Sequence, residues 1–319
     1  MSPPGQPAPP GRVIRVLTGC TAVGKTEWAM RWAEANAAEI ISCDSLLFYR
    51  GMDIGTAKPT RDELSRVRHH LVDIRGVSEP MNVALYCSMA LRAAEDIVSR
   101  GRAVLVVGGS GFYLRSYFAP VADALEVPAS VRESVAALMR AGGLAAVAGE
   151  LGRLNPGGAT GIDMANPRRV CAALERCLAS GRTLAELAAG FARAPSAFAG
   201  WDVRLARIDL PADKLEARIA ARADAMLRAG LVDEVRRLAA SGLRSNPSAA
   251  RAIGYRETLE ALDGGLGTAS LAAAIARDTR ALVKKQRTWF RTQLPAHPVI
   301  DASDPAGAAR LFPDSGVAP

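Results

Sequence analysis

Residues Gly19-Cys20-Thr21-Ala22-Val23-Gly24-Lys25-Thr26 constrain the chain more than any other stretch. An apolar run, Val13-Ile14-Arg15-Val16-Leu17, precedes them, and a helical stretch, Glu27-Trp28-Ala29-Met30-Arg31-Trp32, follows. Strand, glycine loop and helix in that order make a phosphate cradle, the P-loop. The two glycines let the backbone curl until its N–H groups converge on one anion; the helix N-terminus adds partial positive charge and Lys25 a full one. Thr26 offers a hydroxyl to a Mg²⁺ ion carried by the same phosphates. Many phosphorylated ligands satisfy such a loop, ATP among them, so the ligand has to be read from the rest of the chain.

The run Glu39-Ile40-Ile41-Ser42-Cys43-Asp44-Ser45 reads as a strand ending in a carboxylate. Ligands of open parallel sheets bind beyond the carboxyl ends of the strands, which puts Asp44 on the P-loop side; a cap of a turn or helix is its competing role. The glycine-punctuated loop from Tyr49 to Pro59 reads as substrate-facing. His69, His70 and His297 are too few and too scattered for a metal cluster, and packing or capping explains them better. A helix is expected over 82–99, then a buried parallel strand, Ala103-Val104-Leu105-Val106-Val107, leading into Gly108-Gly109-Ser110-Gly111. P-loop enzymes that hydrolyse ATP usually end this strand in an acid that helps hold Mg²⁺. Glycines and a serine stand here instead, which disfavours nucleotide hydrolysis.

Between about 121 and 198 the pattern changes to alanine- and leucine-rich helices, expected over 130–141, 143–154 and 167–180, the last capped by Asn166-Pro167. The βα pattern returns with a strand over 203–210 and helices over 213–229 and 231–241; Arg218 and Arg222 fall on one face of the first of these. The loop Arg251-Ala252-Ile253-Gly254-Tyr255-Arg256-Glu257 reads equally as a phosphate or RNA contact and as solvated surface. In the last long helix, 271–293, Arg277, Arg280, Lys284, Arg287 and Arg291 share an arc of about 80° at 100° per residue, opposite Ile275, Leu282, Val283, Trp289 and Phe290. Five cations without an acid among them suggest a grip on a phosphate backbone.

The expected architecture is an α/β, P-loop NTPase-like core with a parallel sheet, formed by 12–120 and 199–300, with a mostly helical insertion at 121–198. Residues 1–11 read as a disordered leader and 301–319 as a loosely ordered tail. The leader lacks the basic and apolar regions of a signal peptide, and no apolar stretch approaches the length of a membrane span, so a cytoplasmic protein is expected. Forty Lys and Arg against 32 Asp and Glu, a net charge of +8, favour a polyanionic partner. The five cysteines are odd in number and form no C-x-x-C pair, which argues for free thiols over disulfides or a zinc finger.

Several of these stretches together resemble the tRNA dimethylallyltransferases, also called tRNA isopentenyltransferases. They are Gly19 to Thr26; Asp44-Ser45 with Tyr49 to Pro59; Gly108-Gly109-Ser110-Gly111-Phe112-Tyr113-Leu114; Arg251 to Glu257; and Lys284-Lys285-Gln286-Arg287-Thr288-Trp289-Phe290. The chain departs from the family pattern at Cys20, usually Pro, at Leu47-Phe48, usually Gln-Val, and at Ser110, usually Thr. Around Arg168-Arg169 it carries Asn166, Ala172 and Arg176 where the family has other residues.

The resemblance implies transfer of a dimethylallyl group from dimethylallyl diphosphate to N6 of the adenine 3′ of the anticodon, in tRNAs reading codons that begin with U, assisted by Mg²⁺ on Thr26. Gly19, Cys20, Thr21, Ala22, Val23, Gly24, Lys25 and Thr26 would then cradle the diphosphate leaving group. Asp44 would take the proton of the amine, Thr21 would donate to the departing oxygen, and Lys25 and Arg222 would meet its growing charge. Asp44, Ser45, Leu46, Leu47 and Ser110 would meet the flipped adenine and its neighbours, and Arg132, Arg168 and Arg169 of the insertion the tRNA. Arg251, Tyr255, Arg256, Lys284 and Arg287 complete the expected contacts to the anticodon stem-loop of a monomeric enzyme. A small-molecule or nucleoside kinase using ATP, with Asp44 as base, and a non-catalytic RNA-binding P-loop protein are the alternatives.

Overall fold

The computed structural model describes residues 12–121, 125–159 and 161–312. The leader 1–11 and the end of the tail, 313–319, lie outside the described residues. Two compact units emerge, one formed by Met1–Val121 with Ser196–Pro319, the other by Ala122–Pro195.

In the first unit β1 (Val13–Thr18) leads through the glycine loop into α1 (Lys25–Ala35) and β2 (Ala38–Ser42). After α2 (Arg61–Arg66) and the short β3 (His69–His70), α3 (Val83–Ser99) returns the chain to β4 (Ala103–Gly108) and α4 (Gly111–Arg115). Asn82 caps α3 by accepting from Leu85 N, the cap its side chain suits. The six strands form one parallel sheet in the order β3-β2-β4-β1-β5-β6. Ile14, Val16 and Leu17 of β1 and Val104, Leu105 and Val106 of β4 are buried, as expected for inner strands covered on both faces.

β1 lies between β4 and β5, with Thr18 in register with Gly108 on one side and Arg207 on the other. From β1 the chain steps past β4 to β2, and after β4 it continues on the far side of β1. The winding therefore reverses here, and the loops after β1 and β4 open a crevice at the carboxyl edge of the sheet. Thr18 Oγ1 donates to Gly108 O at 2.9 Å, joining the two loops at their roots. A Cβ on Gly108 would lie 2.0 Å from Cys43 O, so only glycine lets β4 pass the end of β2 this closely.

The second unit holds α5 (Ala129–Leu154), α6 (Pro167–Ser180) and α7 (Leu184–Ala192) around its own core of Val135, Val147, Leu151, Val170, Leu174, Cys177 and Leu187. α5 joins the two stretches expected over 130–141 and 143–154, and Gly143 breaks it with φ 63°. At 26 residues, α5 is long and apolar enough by length and composition to cross a membrane, which corrects the expectation that no stretch approaches that length. Its break and the packing of Val135, Val147 and Leu151 on neighbouring helices suit it to a helical core.

Back in the first unit, β5 (Asp202–Asp209) is followed by α8 (Ala212–Arg228), α9 (Leu231–Ala240), α10 (Pro247–Ala250), α11 (Tyr255–Leu262) and α12 (Leu271–Gln293). α12 has the bounds that its periodicity predicts. The described part of the tail, up to Phe312, is more ordered than its composition suggests. β6 (Val299–Asp301) adds a parallel edge strand beside β5, and beyond it Leu311 is buried while the Phe312 ring meets Trp32 of α1 edge-on at 5.3 Å. A few apolar side chains suffice to dock the segment, too few to show as a pattern.

Candidate active site

The glycine loop curls through two left-handed residues, Ala22 at φ 64° and Gly24 at φ 96°, and Gly24 caps α1. Lys25, the first residue of that helix, folds back so that Nζ donates to Gly19 O and Cys20 O, both at 2.9 Å. Arg218 Nη1 donates to Val23 O at 3.0 Å from α8. On the other side Gln286 of α12 spans the crevice: its Oε1 accepts from Thr21 N at 3.0 Å and its Nε2 donates to Gly109 O at 3.1 Å. One amide thus locks the loop after β1 to the loop after β4.

Asp44 follows β2 at the same sheet edge, and its Oδ1 accepts from Leu46 N at 3.0 Å, so it caps a turn as well as lining the crevice. Ser110 Oγ accepts from Ser45 N at 3.0 Å and donates to Ser45 Oγ at 3.2 Å, tying that turn to the β4 loop. The turn is anchored below by the buried Phe48, whose ring meets Tyr86 at 5.8 Å and Tyr113 at 5.6 Å.

These groups border a cavity of about 400 Å³ with two chemically different ends. Thr21, Lys25, Asp44, Arg222 and Gly109 form the polar end. Ile219, Ala223 and Met226 from one stripe of α8, with Ile275 and Leu282 from one stripe of α12, form an apolar wall. Burial pushes the Lys25 ammonium down to about 8; the Asp44 carboxylate opposes this, and Arg222 adds to it. Burial also lowers Arg222, again against the pull of Asp44. Two poorly solvated cations facing one carboxylate leave an excess of positive charge, which an anion would relieve.

The far wall is held by a residue that the sequence reading did not single out. Glu234 of α9 is 2% exposed, and its carboxylate accepts from three successive amides, Asp53 N, Ile54 N and Gly55 N, at 3.1, 2.8 and 3.4 Å. It also accepts from the Tyr255 hydroxyl at 2.7 Å. Gly55 and Thr56, at the end of this nest, line the cavity. Glu234 had a signal: it interrupts the buried stripe Leu231, Val235 and Leu238 with a carboxylate. Gln286 had one too, since it falls almost in line with Ile275 and Leu282 on the inward face of α12.

The structure separates the expected RNA contacts. Tyr255 is fully buried beneath Gly55 with its hydroxyl on Glu234, so it cannot touch tRNA; this corrects the expectation. Arg256 pairs with Glu257 and Asp278, while Arg251 is exposed beside a groove that also takes in Ser45, Leu46 and Lys285. Leu47 is partly buried and outside the cavity. Arg132, Arg168 and Arg169 are exposed in the second unit, Arg169 beside Asp163 at 4.0 Å.

The five-cation arc of α12 is mostly neutralised, once by Asp278 of the same helix and twice by acids of other elements that helical periodicity could not reveal. Arg277 pairs with Asp278, Arg280 with Glu216 of α8, and Arg287 with Asp209 of β5 at 2.7 Å. Lys284 and Arg291 keep no ion pair among the described residues.

A phosphate-cradling loop, a buried lysine and arginine, one carboxylate and an apolar slot define an α/β transferase for a ligand with an anionic head and an apolar tail. The chain belongs to the IPP transferase family, whose model matches residues 47–293. Over 299 residues it is 64% identical to a tRNA dimethylallyltransferase of Opitutus terrae, covering 94% of this chain and 96% of that one. A tRNA isopentenylpyrophosphate transferase from Bacillus halodurans has a solved structure that matches with a TM-score of 0.65 at 32% identity, covering 91% and 90% of the two chains. A eukaryotic dimethylallyltransferase, captured acting on tRNA, shares the fold with a TM-score of 0.79 at 23% identity, over 92% of this chain and 74% of that one.

Proposed function

We propose that the protein transfers a dimethylallyl group from dimethylallyl diphosphate to tRNA, at N6 of the adenine 3′ of the anticodon in tRNAs that read codons beginning with U. The observation that carries this reading is the two-ended cavity: a charged end suited to a diphosphate, continuous with an apolar wall suited to a short branched hydrocarbon. The kinase alternative gains nothing from that wall, and β4 ends in glycine.

In this reading the diphosphate enters the glycine loop, and Lys25 turns from Gly19 O and Cys20 O to the incoming oxygens. Arg222 approaches the same head group from α8. The adenine leaves its stack and enters beside Ser45, Leu46 and Ser110, which places N6 near Asp44. A bond forms between N6 and the first carbon of the allyl group as the bond from that carbon to oxygen breaks. The electron pair leaves with the diphosphate, and Asp44 takes the N6 proton. Thr21, Lys25 and Arg222 stabilise the departing charge.

Among the described residues no group of three His, Cys, Asp or Glu gathers to cage a metal. Thr26, in the first turn of α1 beside the glycine loop, would hold a Mg²⁺ ion through its hydroxyl. When bound, the ion neutralises charge on the leaving group. The exposed Arg132, Arg168, Arg169, Arg251 and Lys284 supply phosphate contacts to the anticodon stem-loop, and a cytoplasmic monomer suffices for all of this.

The test is to incubate the protein with dimethylallyl diphosphate, Mg²⁺ and unmodified tRNA, digest the tRNA and look for N6-dimethylallyladenosine by mass spectrometry. Its appearance supports the reading. Intact adenine in tRNA that still binds the protein moves the assignment to a non-catalytic RNA-binding role, and phosphate transfer from ATP without tRNA moves it to a kinase.

A further inference from the structure

A second cleft opens at the carboxyl edge of the sheet, beyond β5, and shares no lining residue with the cavity of the glycine loop. It has a volume of about 630 Å³ and is walled by Arg207 and Asp209 of β5, Arg287 and Arg291 of α12, and the segment from Leu294 to Val299 that leads into β6. Three guanidiniums face one carboxylate. Asp209 is committed to Arg287 at 2.7 Å, and Arg287 also donates to Leu210 O at 2.8 Å. Arg207 and Arg291 form no ion pair and no side-chain hydrogen bond among the described residues.

Arg207 matters most. It is partly buried, and its Nε is fully buried without a hydrogen-bond partner. A guanidinium keeps its proton, so the Nη groups of Arg207, which meet no acceptor among the described residues, hold a lasting positive charge on the cleft that an anion would satisfy. Arg291 lies one turn beyond Arg287 on the same face of α12 and brings a second fork to the cleft. His297 Nδ1 donates to Pro295 O at 2.6 Å, which leaves Nε2 as a third polar group.

We propose that the cleft between Arg207, Arg291 and His297 is a phosphate-binding site, separate from the glycine loop. The planar forks of two arginines match the oxygens of a phosphate bidentately, and the Arg287–Asp209 pair fixes the wall between them. A free phosphate and a backbone phosphate of RNA share this chemistry. The site does not depend on the prenyl-transfer reading.

The experiment titrates inorganic phosphate into full-length protein and follows it by ³¹P NMR. The background is Lys25→Met, which disables the glycine loop. The expected result is that Lys25→Met still binds phosphate, and that adding Arg207→Met or Arg291→Gln weakens this binding at least tenfold. Arg207→Lys retains part of it, and Arg31→Gln, on the exposed face of α1 where it pairs with Glu27, leaves it unchanged. If Lys25→Met binds no phosphate, or if adding Arg207→Met changes nothing, the proposal is overturned. An anticodon stem-loop then identifies the source: displacement of phosphate points to a backbone phosphate, and simultaneous binding points to a free one.

Discussion

Lys25 makes the affinity for dimethylallyl diphosphate depend on pH in a direction that the structure fixes. Burial holds its ammonium at about 8, and the charged form is the one that pairs with a diphosphate. About nine-tenths of the free protein carries that charge at pH 7 and about one-tenth at pH 9. The ligand's own last proton leaves near pH 6, so about nine-tenths of it is ionised at pH 7 and its charge changes little over this range. The dissociation constant should therefore rise about tenfold between pH 7 and pH 9, a cost of about 1.4 kcal/mol. Calorimetric titration of the protein without tRNA measures it directly.

Two variants separate Lys25 from other groups. Lys25→Arg should bind with no rise over this range, because a guanidinium stays charged. Arg222→Met removes a cation that depresses Lys25, so the midpoint should move to higher pH. An affinity flat to pH 9 in the wild type, or an unmoved midpoint in Arg222→Met, would refute the reasoning. Stability runs the other way. An unfolded lysine titrates near 10.5, so between pH 8 and 10.5 the unfolded chain holds more protons than the free folded protein, and this group's contribution to stability rises with pH across that window.

Asp44→Ala should slow transfer by 10²-fold or more while leaving the affinity for dimethylallyl diphosphate within a few-fold, as single-turnover rates and titration would report. Tyr255→Phe removes a buried hydrogen bond to a carboxylate and should cost about 1.5–3 kcal/mol in denaturant unfolding, with no change in tRNA affinity. Lys284→Ala should lower the slope of log affinity for tRNA against log salt by about 0.7–0.9, the loss of one phosphate contact, and an unchanged slope places Lys284 outside the interface.

The sequence made the centre of the site legible and its supports much less so. Gly19 to Thr26 announce themselves because a phosphate cradle needs glycines, lysine and threonine at fixed spacing. Asp44 follows from the rule that strand ends gather at one edge of a parallel sheet. α12 was readable to its ends because 23 residues of periodicity average out local noise. Glu234 and the role of Gln286 stayed hidden because each fills a single place in an otherwise apolar stripe, and its partners, backbone groups and for Glu234 also the Tyr255 hydroxyl, come from other elements. The cationic arc misled for the same reason in reverse. Asp209 and Glu216, which neutralise Arg287 and Arg280, belong to other elements. Tyr255 stands in a polar, arginine-rich segment, and only the fold reveals that its hydroxyl points inward to Glu234.

The central claim is that one cavity joins a prenyl diphosphate to an adenine. Transfer of radiolabel from dimethylallyl diphosphate to two anticodon stem-loops, one with adenine and one with guanine at the target position, tests it most directly. The account predicts label on the adenine substrate alone, and predicts that Asp44→Ala slows its appearance by 10²-fold or more. Label on neither substrate, with both still bound, would contradict it.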